Sequence, residues 1–174
     1  MPSSITLKSI SVISGYSVST VSKALNDKSD ISSHTRELIK TIANKYNYIP
    51  NNFAVALRKQ RAKAISVIIP QVNKSFYSCF LFNIEKVAYD YGYRIILFQS
   101  LKELSKEKEF ISKSSDGSVD GVIIISNNNG LLDAYQGENS NLPIEYVKID
   151  DSLSKELLKE ISLMSFSSLL NRIN

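Results

Sequence analysis

Residues 6–26, TLKSISVISGYSVSTVSKALN, decide how the amino-terminal part of this 174-residue chain folds. The first half of the stretch predicts a helix because apolar residues recur in it at helical spacing: Leu7, Ile10 and Ile13. Thr6 precedes them and has the hydroxyl side chain of a good N-cap. Gly15 then breaks the helix, since glycine readily adopts the positive φ that a tight interhelical turn needs.

A second helix is predicted to begin after Ser17, which also has the side chain of an N-cap. Its apolar residues fall at positions i, i+3 and i+7: Val18, Val21 and Leu25. Its other face carries short polar side chains and one base: Ser19, Thr20, Ser22, Lys23 and Asn26. Such a pair is typical of a helix-turn-helix, whose second helix enters the DNA major groove. Two packed helices with no DNA-binding role would give the same local pattern.

A third helix is predicted to start near Ser32–Thr35 and to end before Pro50. Apolar residues spaced four apart are predicted to lie on one face of it: Leu38, Ile42 and Tyr46. Proline has no N–H to donate, and it disfavours helical conformation at the residue before it. Residues 1–50 are therefore predicted to form a small all-α head.

Charge is distributed unevenly along the chain. Residues 1–64 carry ten Lys or Arg against three Asp or Glu, a balance of +7, whereas the rest of the chain has a balance of −3. No acid occurs before Asp27, so nothing in the first two predicted helices repels a phosphate backbone. A basic head on a mildly acidic body favours a nucleic-acid partner, and a solvated charged face is the alternative.

Three quoted segments, taken together, resemble the LacI/GalR (lactose-repressor) family of bacterial transcription regulators: TLKSISVISGYSVSTVSKALN, ISSHTRELI and YNYIPNNFAVAL. The family has a second helix of the form G-x-S-x-x-T-V-S-[RK]-x-L-N, a third helix beginning [VI]-S-x-x-T-R-E, and a later word G-Y-x-P-N-x-x-A-x-x-L. The resemblance implies a sequence-specific regulator, most often a repressor, that binds a palindromic operator in double-stranded DNA.

The resemblance also implies which residues contact DNA. The positions that hold the phosphate backbone correspond to Thr6, Ser17, Thr20, Ser22, Asn26, Ser32 and Thr35. The positions that read base edges correspond to Val18, Ser19 and Lys23, and Leu7 is counted with the DNA contacts. Lys23 replaces a commoner arginine, so it donates to guanine without the rigid bidentate fork. Tyr16 and Asn47 also depart from the family pattern, Asn47 standing where a glycine is usual.

Residues 51–63 are predicted to form a hinge helix and a basic linker. About two helical turns are not stable alone in water, so this helix would order on DNA. The resemblance implies that Leu57 wedges into the minor groove, with Asn51 and Ala54 among the DNA contacts. Burial of Leu57 in a protein core is the alternative.

Residues 64–174 are predicted to form an α/β domain with a parallel sheet. The apolar runs Ile65–Ile69, Arg94–Phe98 and 119–125 alternate with helical patterns at Phe76–Tyr91 and Lys102–Lys113. A strand at Ile144–Ile149 and one amphipathic helix after Asp151 follow. The first strands resemble the family's periplasmic-binding-protein-like sensor domain. The resemblance then fades, and family members are roughly twice as long, so the chain is expected to be truncated in its sensor, as an engineered piece, a fragment or a truncated gene product.

Ligands of such sheets sit beyond the carboxyl ends of the strands, which points to the loops at 71–77 and 126–130. Phe76 and Tyr77 match positions where the family contacts a small-molecule effector such as a sugar, and a role as core aromatics stays open. The run Lys102–Glu109 is predicted to be a solvated helix face.

Other classes of function find little support. The start of the chain has no signal-peptide pattern and no apolar run long enough to span a membrane, which predicts a cytoplasmic protein, associated with the nucleoid when bound. One cysteine and one histidine argue against a disulfide, a zinc site and a catalytic triad, and no nucleotide-binding motif occurs. We therefore expect neither enzyme activity nor a cofactor or metal.

The sequence thus predicts a transcription regulator that responds to an effector. Two alternatives remain: a DNA-binding fragment without effector response, and a cytoplasmic small-molecule-binding module. An intact family member would be a homodimer, whereas dimerisation of this shorter chain stays open.

Overall fold

The computed structural model describes residues 5–50, 61–126 and 142–174. The chain divides into two compact units, residues 1–52 and 53–174, each with its own core. Most of the predicted hinge, residues 51–60, lies outside the described residues. The predicted boundaries of the hinge therefore stay a prediction.

Within residues 5–50 the amino-terminal unit has three helices: α1, Leu7–Ser14; α2, Val18–Leu25; and α3, Ser33–Lys45. The N-caps predicted at Thr6 and Ser17 are confirmed, since their hydroxyls accept from the N–H groups of Ser9 and Thr20 at 3.2 and 3.1 Å. Gly15 ends α1 with a φ of 74°, the left-handed conformation that its position required.

The core of this unit is built on four fully buried residues: Ile10, Val21, Ala24 and Ile39. Several apolar residues of α1 and α3 remain outside this core. Leu38 is 40% exposed because it lies about 100° round α3 from the buried Ile39. Tyr46 is 43% exposed because it is the C-cap, beyond the last residue of the helix. In α1, Ile13 is 43% exposed, because residues at i, i+3 and i+6 span about 120° and this narrow contact buries Ile10 alone.

The second unit is a layered α/β structure over residues 61–126 and 142–174. Its strands are β1, Ala64–Ile69; β2, Arg94–Gln99; β3, Gly121–Ile125; and β4, Ile144–Val147. Its helices are α4, Ser75–Asp90; α5, Leu104–Ser114; and α6, Lys155–Ile173. The strands pair in parallel in the order β2-β1-β3-β4, which confirms the predicted partial α/β fold with a parallel sheet.

Helices cover both faces of this sheet. On one face α4 and α6 pack over Val67, Ile123 and their neighbours, and on the other α5 packs over Ile68 and Ile124. All of β1 is buried, as is usual for a strand inside a parallel sheet. The carboxyl ends of the strands thus meet at one edge of a well-packed core.

The helix predicted after Asp151 is α6, and two details of the packing differ from the expectation. Its buried face contains Ser162 and Ser165 beside Phe166, so it is less purely apolar than an amphipathic pattern implies. Ser162 is tolerated there because its Oγ donates to the carbonyl of Leu158 at 2.6 Å. Helix α4 ends at Asp90, one residue before the predicted end, and Tyr91 beyond it is 55% exposed.

Gly121 opens β3 where α6 crosses the sheet closely. A Cβ at this position would lie 3.0 Å from Leu169 Cδ1 and 3.1 Å from Ile173 Cδ1. The glycine of the Val119–Gly121 word therefore serves helix–sheet packing.

Among the helices in the described ranges, none is both long enough and apolar enough to cross a membrane.

Candidate nucleic-acid interface and ligand cavity

The first turn of α2 presents the side chains predicted to read bases. Val18 is 45% exposed and Ser19 is exposed, because Val21 and Ala24 take the buried side of this short helix. An exposed valine methyl and a serine hydroxyl suit the thymine methyl and the polar base edges of the major groove. The structure therefore leaves this turn available for DNA.

Lys23, the third predicted base-reading residue, is held by a partner that the sequence reasoning did not foresee. Its Nζ donates to Asp30 Oδ2 at 2.5 Å, and the two side chains are 48% and 54% exposed. The hydrogen bond from Lys23 lowers the pKa of the Asp30 carboxyl. Lys23, which is predicted to read DNA bases, thus belongs to an exposed ion pair.

The predicted backbone contacts gather at the amino-terminal ends of the head helices. Ser17 and Thr20 lie within 2.9 Å of each other through their hydroxyls at the start of α2, and Ser32 and Thr35 do so at the start of α3. Thr6 holds the same place at α1. None of the three helices has an acid in its first turn. The positive end of a helix dipole favours phosphate binding when the first turn holds no acid.

Other predicted DNA contacts are less accessible. Ser22 is only 9% exposed, and Asn26 uses its Nδ2 to donate to the Ser22 carbonyl at 2.7 Å. Leu7 packs partly against the head core. Asn51, Ala54 and Leu57 lie outside the described residues. A role in DNA contact for all of these stays a prediction.

The two departures from the family pattern are accommodated in the head. Tyr16 packs against the core from the interhelical turn, and its carbonyl accepts from Ser11 Oγ at 2.6 Å. Asn47 has a φ of 50°, which confirms that asparagine replaces glycine there in a left-handed conformation.

The loop between α2 and α3, with the sequence NDKSD, is held by side-chain contacts from α3. Asp27 adopts a φ of 54° and accepts from Lys40 Nζ at 2.6 Å. Arg36 donates to the carbonyls of Lys28 and Ile31 at 2.9 and 3.1 Å. The signal available in the sequence was two acids, Asp27 and Asp30, close to the only lysine on α2.

A cavity of about 260 Å³ opens beyond the carboxyl ends of the strands in the second unit. Its lining includes both predicted effector residues and several charged side chains: Phe76, Tyr77, Lys74, Lys102, Asp150 and Asp151. This is the edge at which open α/β sheets bind ligands. The loop predicted at 126–130 lies outside the described residues beyond Ser126.

The two aromatic residues differ in exposure. Tyr77 is 3% exposed and belongs to the sheet core, whereas Phe76 is half-buried at its margin, with ring centroids 4.1 Å apart. Burial, with a smaller effect of the Asp150 charge, raises the pKa of the Tyr77 hydroxyl. Tyr77 thus combines a core role with a place in the cavity wall, and an effector role for either residue stays a prediction.

The segment Lys102–Glu109 was predicted to be a solvated helix face, and for Glu107 this is wrong. Glu107 is 1% exposed, and its carboxylate accepts from Ser126 Oγ at 3.0 Å and lies 3.5 Å from Ser100 Oγ. These serines follow β3 and β2, so the carboxylate joins the ends of two strands. Its neighbour Glu109 is exposed and pairs with Lys113, as the prediction implied.

Comparisons with known proteins agree with this architecture. Residues 6–51 match the family described as "Bacterial regulatory proteins, lacI family". The HTH-type transcriptional regulator RegA of Clostridium saccharobutylicum is 33% identical over 69% of this chain and 36% of its own length. The ribose operon repressor of Bacillus subtilis is 32% identical over 77% of this chain and 41% of its own length. The sucrose operon repressor of Pediococcus pentosaceus is 29% identical over 87% of this chain and 45% of its own length.

Solved structures show the same fold. A lac repressor dimer bound to operator and the anti-inducer ONPF has a TM-score of 0.76 at 20% identity, over 97% of this chain and 62% of that one. A LacI-family regulator from Silicibacter pomeroyi has a TM-score of 0.67 at 20% identity, over 97% of this chain and 61% of that one. The chain spans 36–45% of the length of the curated relatives given above. Through its helix-turn-helix head, the chain belongs to the LacI family of bacterial regulatory proteins.

Proposed function

We propose that this chain is a sequence-specific DNA-binding transcription regulator, acting as a repressor. The names of its relatives support this, since they include a transcriptional regulator and repressors of ribose and sucrose operons. On this proposal the protein acts in the cytoplasm, is associated with the nucleoid when bound to DNA, and catalyses no reaction.

The observation that carries the proposal is the surface formed by the start of α2 and the helix amino termini. Val18 and Ser19 are exposed beside hydroxyl-capped helix starts that have no acid in the first turn. Phosphate contacts fix the register of a head on DNA, and contacts to base edges supply its specificity. We assign the first role to Ser17, Thr20, Ser32 and Thr35, and the second to Val18, Ser19 and Lys23.

We also propose that the second unit binds a small, sugar-like effector in the cavity beyond the strand ends. The cavity offers an aromatic surface at Phe76 together with the polar groups of Gln71, Lys74 and Asp150, a combination suited to a polyol. Effector binding would change operator affinity. A palindromic operator engages two heads, so on this proposal the chain binds it as a homodimer.

The test is selection of binding sites from a pool of randomised DNA duplexes with the purified chain. Enrichment of one short motif in successive rounds is the expected result, with affinity falling steeply and linearly on a log–log plot against salt. Recovery of an unchanged pool would contradict the proposal. Adding ribose or sucrose to the selected complex tests the effector, and sedimentation of the complex tests the dimer.

If DNA selection succeeds and no sugar changes the affinity, the chain is a DNA-binding fragment without effector response. If a sugar binds and no DNA motif is enriched, it is a small-molecule-binding module. The two readouts separate the proposal from both alternatives.

A further inference from the structure

We propose that Asp30 is a specificity-determining residue for DNA recognition: the ion pair of Asp30 with Lys23, and not Lys23 alone, reads the bases. This inference rests on the proposed function. It starts from the 2.5 Å contact between Lys23 Nζ and Asp30 Oδ2. Both side chains are about half exposed, so the pair lies at the surface and is not hidden in the core.

The protein fixes the position of Asp30 before DNA is present. The N–H of Lys28 donates to the carbonyl of Lys23 at 3.1 Å, which ties the loop to the end of α2. The guanidinium of Arg36 then holds the carbonyls of Lys28 and Ile31 from α3. Asp30 lies between these two anchored residues. Its carboxylate is therefore carried by a loop that both helices support.

The pair offers donors and acceptors side by side. A lysine ammonium has three N–H groups, so one bond to Asp30 leaves two for guanine O6 and N7. A carboxylate keeps lone pairs free after one bond and accepts from the N4 amine of cytosine. Asp30 also limits the movement of a long, flexible side chain that lacks the fork of arginine. The pair would read a guanine and a neighbouring or paired cytosine together.

The negative charge of Asp30 also lowers affinity for DNA that lacks the operator sequence. A carboxylate close to DNA repels phosphates, so it lowers affinity for duplexes that offer it no amine donor. Surface ion pairs contribute little to folding, typically less than about 1 kcal/mol. Recognition is thus a better account of this contact than stabilisation of the head.

Asp27 provides a matched control in the same loop. Its carboxylate pairs with Lys40 at 2.6 Å and lies 3.8 Å from Arg36, both residues of α3, and does not pair with Lys23. Asp27→Asn and Asp30→Asn change the net charge of the head equally. Only Asp30→Asn removes the partner of the base-reading residue.

The experiment measures equilibrium dissociation constants of the full chain by fluorescence anisotropy. The probes are the selected operator, operators with single base-pair changes, and a scrambled duplex of the same length. The proteins are wild type, Lys23→Ala, Asp30→Asn, the double variant and Asp27→Asn. Circular dichroism confirms that each variant is folded, and Asp30→Ser, which also removes the carboxylate, replaces Asp30→Asn should that variant unfold.

We expect Asp30→Asn to bind scrambled DNA more tightly and to lose about tenfold of the preference at one or two adjacent base pairs, equivalent to about 1.4 kcal/mol. The loss should shrink below about twofold when Lys23 is already alanine, because coupled residues are not additive. Asp27→Asn should keep the preference.

Equal loss of preference in Asp30→Asn and Asp27→Asn would overturn the proposal, as would an Asp30→Asn effect that persists unchanged beside Lys23→Ala. If wild type itself shows no preferred sequence, the proposed function fails and the inference fails with it. The inference fails alone if wild type prefers its operator but the effects of Asp30→Asn and Lys23→Ala are additive. The two failures are therefore distinguishable.

Discussion

The carboxylate of Asp120 accepts a hydrogen bond from the backbone N–H of Lys63 at 2.9 Å, and one from the adjoining Ala62 at 2.6 Å. The backbone N–H of Asp120 in turn donates to the carbonyl of Ala64 at 2.8 Å. Asp120, which immediately precedes β3, therefore fixes Ala62, Lys63 and Ala64, where the chain enters β1. The Val-Asp-Gly word at 119–121 thus has two structural roles, this anchor and the close approach of α6 at Gly121.

Asp120→Ala is expected to release this entry segment. The two N–H groups would lose a charged acceptor, which costs about 1.5–3 kcal/mol for each hydrogen bond lost unless water replaces it. Arg61 and Lys63 are trypsin sites within this segment. Trypsin should therefore cleave Asp120→Ala there several times faster than it cleaves wild type. Limited proteolysis followed by mass spectrometry measures this.

Asp120→Asn is the matched control for that change, because its amide oxygen still accepts one hydrogen bond. It should fall between wild type and Asp120→Ala in cleavage rate. Identical rates in all three proteins would show that the carboxylate does not hold the segment.

Glu107→Ala is expected to destabilise the second unit. The change would leave the buried hydroxyls of Ser100 and Ser126 without this partner, and it would open a space under α5. A buried polar group left unsatisfied costs about 1–3 kcal/mol. Urea denaturation followed by circular dichroism gives the change in free energy of unfolding.

Glu109→Ala, two residues away on the same helix, is the control. Glu109 is exposed and pairs only with Lys113 among the ion pairs of the described residues, so its loss should destabilise the unit much less than loss of Glu107. An equal change in the free energy of unfolding for the two substitutions would mean that the buried Glu107 does not stabilise the second unit.

Local chemistry made the head largely predictable from the sequence. Hydroxyl N-caps, the positive φ at Gly15 and the left-handed Asn47 each depend on a few neighbouring atoms, so residue type alone indicates them. The buried face of α3 depends instead on where α1 and α2 lie. Spacing of four gave Leu38 and Tyr46, while tertiary packing selected Ile39 and Ala43.

The sites were less predictable, because each side chain has a partner outside its own helix or strand. The pair of Lys23 with Asp30 needs the loop geometry, and the contact of Glu107 with Ser126 joins residues 19 apart in sequence. In a charged run such as Lys102–Glu109, nothing in the sequence marks the one carboxylate that turns inward. Position on the folded helix decides it.

Ser17→Ala removes the N-cap of α2, whose Oγ accepts from the Thr20 N–H at 3.1 Å. Loss of such a cap costs about 0.5–2 kcal/mol of stability. Affinity should fall alike for operator and scrambled DNA, because the residue is assigned to the phosphate backbone. Anisotropy with both duplexes checks this, using Ser33→Ala, an exposed serine that follows the cap of α3, as the control. A change confined to one base position would contradict the assignment.

The Asp27 carboxyl predicts how the head responds to acid. The hydrogen bond from Lys40, with smaller effects of the Lys40 and Arg36 charges, lowers its pKa below the usual 3.8. A lowered pKa means that the pair stabilises the folded head above the usual pKa, and that this contribution is lost as pH falls through the folded value. The melting temperatures of wild type and Asp27→Asn should therefore differ at neutral pH and converge as the pH falls below the usual carboxyl pKa of 3.8. A difference that is constant with pH would exclude this pair as its source.

The ratio of two dissociation constants tests whether α2 reads a DNA sequence, with Val18 and Ser19 in its first turn and Lys23 in its last. The measurement compares the selected operator with a scrambled duplex at about 150 mM salt, for wild type and for Lys23→Ala. Specific regulators bind their sites about 10³-fold or more tighter than other DNA. We expect a wild-type ratio of that order, reduced at least about tenfold in Lys23→Ala. A ratio near one for wild type, or a ratio that Lys23→Ala leaves unchanged, would contradict it.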